Sequence, residues 1–63
     1  MTFAEQLKKA RKNANLTQTT MSQITKVPFR TIQQWESGDR IPPEYLQIYV
    51  LNHLREIARM DEE

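Results

Sequence analysis

The sequence contains no cysteine, a single glycine and no long hydrophobic run. Without cysteine, neither a disulfide nor a thiolate metal site can form, so helix packing must stabilise the 63 residues. No apolar stretch approaches the roughly 18 residues of a membrane span. The first residues also lack the apolar segment of a signal peptide, so we expect a cytoplasmic protein with no membrane partner.

Strand patterns are equally scarce. β-branched residues do not alternate with polar ones over any useful length, which favours an all-α fold. We expect one domain spanning residues 1–63, folded as a compact four- to five-helix bundle. This length lies near the lower limit for independent folding, so a partner subunit would help to stabilise it.

Patterns of catalytic and metal-binding residues are also missing. The serine, aspartate and histidine side chains form no recognisable catalytic arrangement. His53 is the lone histidine, and no clustered carboxylates stand at ligand spacing from it. We therefore expect no enzyme activity, no metal and no cofactor.

Charge is unevenly divided along a chain whose formal net charge is only +1. Residues 1–40 carry seven basic and three acidic side chains, whereas residues 41–63 carry two basic and five acidic ones. An electropositive N-terminal part is typical of a protein that binds nucleic acid. Ordinary solvated surface lysines and arginines would give the same count.

The N-terminal residues predict the start of a helix. Thr2 and Glu5 form a T-x-x-E capping box, in which each side chain accepts from the backbone amide of the other residue. Apolar residues beginning with Phe3 and Leu7 then recur at helical spacing, so the first helix is expected to run to about Asn13.

The next two helices are predicted to be short and closely spaced. A capping threonine indicates a second helix over about residues 18–25, with Met21 and Ile24 facing inward. A tight turn then leads to a third helix over about residues 28–37, which places Trp35 inside and ends at the glycine.

The last helix is predicted to be long. It follows two prolines, which favour an extended connector, and covers about residues 43–60. Tyr45, Tyr49 and Leu51 widen its apolar surface beyond what one small core needs, so they mark a possible dimer interface. The two tyrosines could equally be ordinary core. The acidic end over residues 61–63 opposes the helix dipole and is expected to fray.

A known motif connects these helices. Together with L-T-Q at residues 16–18 and W-E-S-G at residues 35–38, the stretch TQTTMSQITKVPFRTIQQWE at residues 17–36 resembles the phage-repressor/Cro-like helix-turn-helix family, also called the XRE family. The resemblance covers roughly residues 3–54. It implies a lambda-repressor-like DNA-binding domain that acts as a small transcriptional regulator, a repressor, by binding double-stranded DNA sequence-specifically.

The resemblance also implies a role for each motif residue. Gln18 corresponds to a position that contacts phosphate beside the amides of a helix N-terminus. Phe29, Arg30 and Gln34 correspond to positions that face base edges, where arginine bonds to guanine and glutamine to adenine. The remaining implied DNA contacts are Thr31 and Gln33 on the third helix, at base or backbone, and Ser37 and Arg40 in the loop near the phosphates.

Three structural expectations follow from the same resemblance. Arg11 and Glu36 correspond to an ion pair that joins the first helix to the end of the third. Lys26 stands where the family usually has a glycine, and a left-handed conformation there would cost of order 1 kcal/mol. One module reads few base pairs, so we expect a homodimer on a pseudo-palindromic operator in a bacterial or phage-infected cell. The single long last helix departs from the two short helices that the family often has.

A second class of function fits the same residues. Short helix-turn-helix proteins resemble one another whether or not they touch DNA, because fold does not fix function. Phe29 is suited to contact a thymine methyl, to pack on the second helix or to bind a protein. An antitoxin or antirepressor with a protein partner therefore remains the alternative, and a DNA-binding antitoxin would combine the two.

Overall fold

A computed structural model describes residues 2–60 of the chain, and these residues form four helices without strands. The helices are α1 (Phe3–Asn13), α2 (Gln18–Thr25), α3 (Phe29–Ser37) and α4 (Glu44–Met60). Pro28, expected in the first turn of α3, is instead its N-cap. The last helix begins at Glu44, and the Pro43 carbonyl accepts from the amides of its first turn. The predicted fraying at 61–63 lies outside the described residues.

Local hydrogen bonds fix the start of α1 as the sequence predicts. The Glu5 amide donates to Thr2 Oγ1 at 3.3 Å, and the Thr2 amide donates to Glu5 Oε1 at 3.2 Å. The Thr2 backbone amide, aided by its hydroxyl, stabilises the carboxylate and holds the pKa of Glu5 below its ordinary value. The capping box therefore forms from residues three positions apart.

Side-chain hydrogen bonds hold the turn between α2 and α3, where no glycine is present. Lys26 takes a left-handed conformation with φ of 65°. The Ser22 hydroxyl donates to the Val27 carbonyl at 2.7 Å, and the Thr25 hydroxyl accepts from the Val27 amide at 3.3 Å. These bonds stabilise the turn, in which Lys26 adopts the strained left-handed conformation.

Replacing Lys26 with glycine is expected to raise the free energy of unfolding by about 1 kcal/mol, because glycine adopts a positive φ without a Cβ clash. Urea denaturation followed by circular dichroism measures the change. Lys8→Gly, at an exposed position inside α1, is the matched control and should lower stability by about 1 kcal/mol. Equal losses in the two variants would show that the turn is not strained.

The hydrophobic core joins all four helices. Trp35 packs edge-to-face on Phe3 with ring centroids 6.0 Å apart, and this contact ties α3 to α1. The core side chains with no exposed surface come from every helix: Leu7, Met21, Ile32, Val50 and Leu54.

Two apolar side chains do not lie where the sequence placed them. Ile24, expected inside, is 39% exposed, whereas Thr25 is buried and satisfies its hydroxyl by donating to the Met21 carbonyl at 2.8 Å. Leu51, expected at a dimer interface, is 8% exposed and belongs to the same core cluster as Leu54. It lies three residues before Leu54 and so shares the inner face of α4.

Neither a membrane-spanning helix nor a cluster of metal ligands occurs in the described residues. Within residues 2–60, none of the helices combines the length and hydropathy of a transmembrane segment. The same residues contain no group of three or more histidine or acidic side chains placed to hold a metal ion.

Candidate nucleic-acid interface

The outer face of α3 is polar and open to solvent. Ile32 and Trp35 anchor its inner face in the core. Arg30 and Gln33 are exposed on the opposite side, with Gln34 half-buried beside them. Residues three and four apart share one side of a helix, so these three polar side chains form one surface. Thr31 is half-buried at the margin of this surface.

The first residue of α3 is apolar. Phe29 is 41% exposed, and the N-cap Pro28 makes no side-chain cap bond. The aromatic ring therefore stands at the edge of the polar surface rather than in the core. With 41% of its surface exposed, Phe29 still has surface for a thymine methyl, for α2 or for a protein.

The loop after α3 turns back on the helix. Gly38 takes a left-handed φ of 86°, and the Ser37 hydroxyl donates to the Gln34 carbonyl at 3.1 Å. The same hydroxyl accepts from the Asp39 amide at 3.4 Å, and the Arg40 amide donates to the Gln34 carbonyl at 3.3 Å. Ser37 and Arg40 are thus exposed beside the C-terminal end of α3.

A buried ion pair ties the three N-terminal helices together. Arg11 Nε donates to Glu36 Oε2 at 2.9 Å, and Arg11 Nη2 donates to Glu36 Oε1 at 3.2 Å. Arg11 Nη1 donates to the Leu16 carbonyl at 3.0 Å. The two side chains are only 15% and 3% exposed, respectively. This bidentate geometry is the strong form of an arginine–carboxylate contact, and it fixes α1 against the end of α3.

Gln18 belongs to the same cluster. Its Nε2 donates to Glu36 Oε1 at 3.2 Å. An amide nitrogen carries two N–H groups, so the bond to Glu36 leaves one donor at the start of α2. Sequence reasoning assigned Gln18 to phosphate without finding this bond, because the partner lies 18 residues away in the chain.

An exposed apolar face also extends along the first half of α4. Tyr45 and Tyr49 are 74% and 54% exposed, so they are not core. Ile48 is exposed between them, three residues after Tyr45, and the ring of Tyr49 meets that of His53 edge-to-face at 6.0 Å. We call Tyr45, Ile48 and Tyr49 the α4 apolar face. The sequence prediction missed Ile48, although its helical spacing from Tyr45 identifies it.

The fold and its open third helix define a helix-turn-helix domain, and comparison with known families agrees. Residues 7–49, more than half of the chain, match the family described as helix-turn-helix. The chain belongs to the Cro/repressor-like (XRE) helix-turn-helix family, whose members are DNA-binding transcription regulators. No curated protein and no solved structure matches the chain.

Proposed function

We propose that the protein binds double-stranded DNA sequence-specifically, as a small transcriptional repressor in the cytoplasm of a bacterial or phage-infected cell. The observation that carries the proposal is the surface formed by Arg30, Gln33 and Gln34 on a helix anchored by Ile32 and Trp35. A helix of this kind fits the major groove, where arginine bonds to guanine and glutamine to adenine.

Residues at the start of α2 and at the C-terminal end of α3 support the docking of that helix. The free amide donor of Gln18 and the exposed side chains of Ser37 and Arg40 are suited to phosphate oxygens. Thr31 can reach base or backbone from the edge of the surface. The excess of basic side chains over residues 1–40 would release counterions from DNA, so affinity should fall steeply with salt.

Phe29 adds an apolar contact to this readout. Its ring is partly exposed at the N-terminal end of α3, the end from which recognition helices reach base edges. A thymine methyl is the apolar group that the major groove presents. We therefore assign Phe29 to a thymine next to the base that Arg30 reads.

A homodimer would bind DNA more stably than a single module of this size. Two copies on a two-fold operator double the contacts, with half-sites about one helical turn, roughly 34 Å, apart. The α4 apolar face supplies exposed side chains for a symmetric interface through Tyr45 and Tyr49. Leu51, which is buried, is no longer part of this assignment.

Selection from a random double-stranded DNA library tests the proposal. At low salt we expect an enriched pseudo-palindromic motif, with half-sites one helical turn apart, whose affinity falls steeply as salt is raised. An enriched single half-site would contradict the proposed dimer but not the proposed DNA binding. No enrichment at low salt, where binding is tightest, would contradict DNA binding itself.

The second candidate function is binding of a protein, as an antitoxin or antirepressor does. It is favoured by two apolar side chains exposed on the helix-turn-helix, Ile24 and Phe29. An interface built on them would be insensitive to salt, unlike DNA binding. A DNA-binding antitoxin would give the selected motif and a protein complex together.

A further inference from the structure

A groove runs between α1 and the C-terminal half of α4. Its apolar lining, called the floor below, consists of Ala10, Leu51, Leu54 and Ala58, and Gln6 and Asn13 of α1 line it as well. None of the residues that line it belongs to α2 or α3, so the groove is separate from the surface proposed to bind DNA. Its α4 side also lies beyond residue 49, where the match to the helix-turn-helix family ends.

Small side chains give this groove its depth. Ala10 on α1 and Ala58 on α4 are both half-buried, and each extends only one carbon from the backbone. Two helices separated by small residues leave a depression into which a third helix can lay a row of larger apolar side chains. The floor is thus suited to leucine-sized groups on one face of a helix.

Positive charge surrounds the apolar floor. Lys9 on α1 and the pair Arg55 and Arg59 on α4 line the groove, and no acidic side chain lines it with them. Arg59 contacts Glu56 at 3.8 Å with both side chains exposed, and Arg55 bonds to Asn52 at 3.4 Å. Exposed pairs of this kind contribute little, so both guanidinium groups remain able to bind carboxylates.

We propose that the α1–α4 groove binds an amphipathic helix of another protein, with acidic side chains flanking its apolar face. The apolar side chains, repeating at three- and four-residue spacing, would cover Ala10, Ala58 and the exposed edge of Leu51. The flanking carboxylates would pair with the three basic side chains that line the groove. Since α3 does not line the groove, such a partner could bind while DNA is bound.

The combination of floor and rim selects this occupant over two others. DNA supplies negative charge but no apolar row to cover leucine and alanine side chains. A second copy of the chain would offer the α4 apolar face. Among the residues that the structure describes, Glu44, beside Tyr45, is the acidic residue that adjoins this face. One carboxylate does not match three cations, so a separate acidic segment fits better.

Titration with two designed peptides tests the proposal. The probe is a fluorescein-labelled helical peptide with leucines at i, i+3, i+4 and i+7 flanked by glutamates. The control peptide has the same sequence with every glutamate replaced by lysine. We expect saturable binding of the glutamate peptide alone, with amide NMR shifts concentrated at Ala10, Leu54 and Ala58. The lysine peptide should bind at least about tenfold more weakly.

Variants locate the binding in the groove. Reversing the two arginine charges of the groove with Arg55→Glu and Arg59→Glu should weaken the binding of the glutamate peptide by about tenfold. Ala58→Trp should abolish binding by filling the floor. Lys12→Glu, an exposed charge change on α1 outside the groove, should leave affinity within about twofold. Circular dichroism spectra and urea denaturation midpoints close to those of the parent protein confirm that each variant folds.

Four outcomes would overturn this inference. They are no binding of the glutamate peptide, equal binding of both peptides, shifts concentrated on α3, and shifts in the groove when the protein alone is concentrated. Shifts on α3 would mean that the peptide mimics the DNA backbone, and shifts on self-association would make a second copy the occupant. Because the DNA selection is a separate measurement, failure here leaves the proposed DNA binding intact.

Discussion

Replacing Arg11 with methionine is expected to lower the free energy of unfolding by about 3–5 kcal/mol. The change leaves the carboxylate of Glu36, which is 3% exposed, with Gln18 as its remaining side-chain donor. A buried carboxylate without its cation cannot recover the hydration that folding removed. At about 0.05–0.15 kcal/mol per residue, the 63 residues are stable by about 3–9 kcal/mol, so this loss would remove a large fraction of the total stability.

Urea denaturation monitored by circular dichroism measures the effect, and two variants control it. Combining Arg11→Met with Glu36→Leu should recover most of the loss, because an apolar pair can replace a buried ion pair at little cost. Arg59→Met removes an exposed arginine whose contact with Glu56 is 3.8 Å, and should change stability by less than about 1 kcal/mol. If Arg11→Met costs no more than Arg59→Met, the buried pair does not stabilise the fold.

Replacing Arg30 with alanine is expected to relax the selected DNA motif at one base position in each half-site. The lost discrimination should be about 1–3 kcal/mol, which is roughly 5- to 150-fold in relative affinity. Arg30 is exposed, and among residues 2–60 no carboxylate forms a salt bridge with it, so its bidentate donors are available to guanine.

Two further arginines separate base readout from general attraction. Arg40→Ala should weaken binding to all sequences uniformly and reduce the salt slope by about 1, as expected for a phosphate contact. Arg55 lines the α1–α4 groove, away from α3, so Arg55→Ala should leave the selected motif unchanged. A motif that stays sharp at every position in Arg30→Ala would remove Arg30 from the base-reading set.

Local signals allowed the helix boundaries to be predicted from the sequence. The capping pair Thr2 and Glu5 predicts the start of α1, and Gly38 marks the end of α3, because caps use neighbours in the chain. The ion pair of Arg11 and Glu36 needed more than local signals. It was implied by the family resemblance, and the structure forms it between residues 25 positions apart.

Helical periodicity could not decide which of two neighbouring side chains lies inside. Ile24 and Thr25 lie three and four residues after Met21, and both spacings fall near the same helix face. The structure buries Thr25, whose hydroxyl donates to the Met21 carbonyl, and leaves Ile24 partly exposed, because the packing of α2 on the other helices decides which side is covered. Hydrophobicity alone favoured the isoleucine, and that interpretation was wrong.

The sequence by itself determined the all-α class, the approximate limits of the helices and the polar composition of α3, because these depend on residues close together in the chain. Only the tertiary structure decided that Gln18 bonds to Glu36, that Leu51 is core, and that Ala10 and Ala58 line one groove. These features join residues far apart in sequence, and their positions depend on how the helices pack.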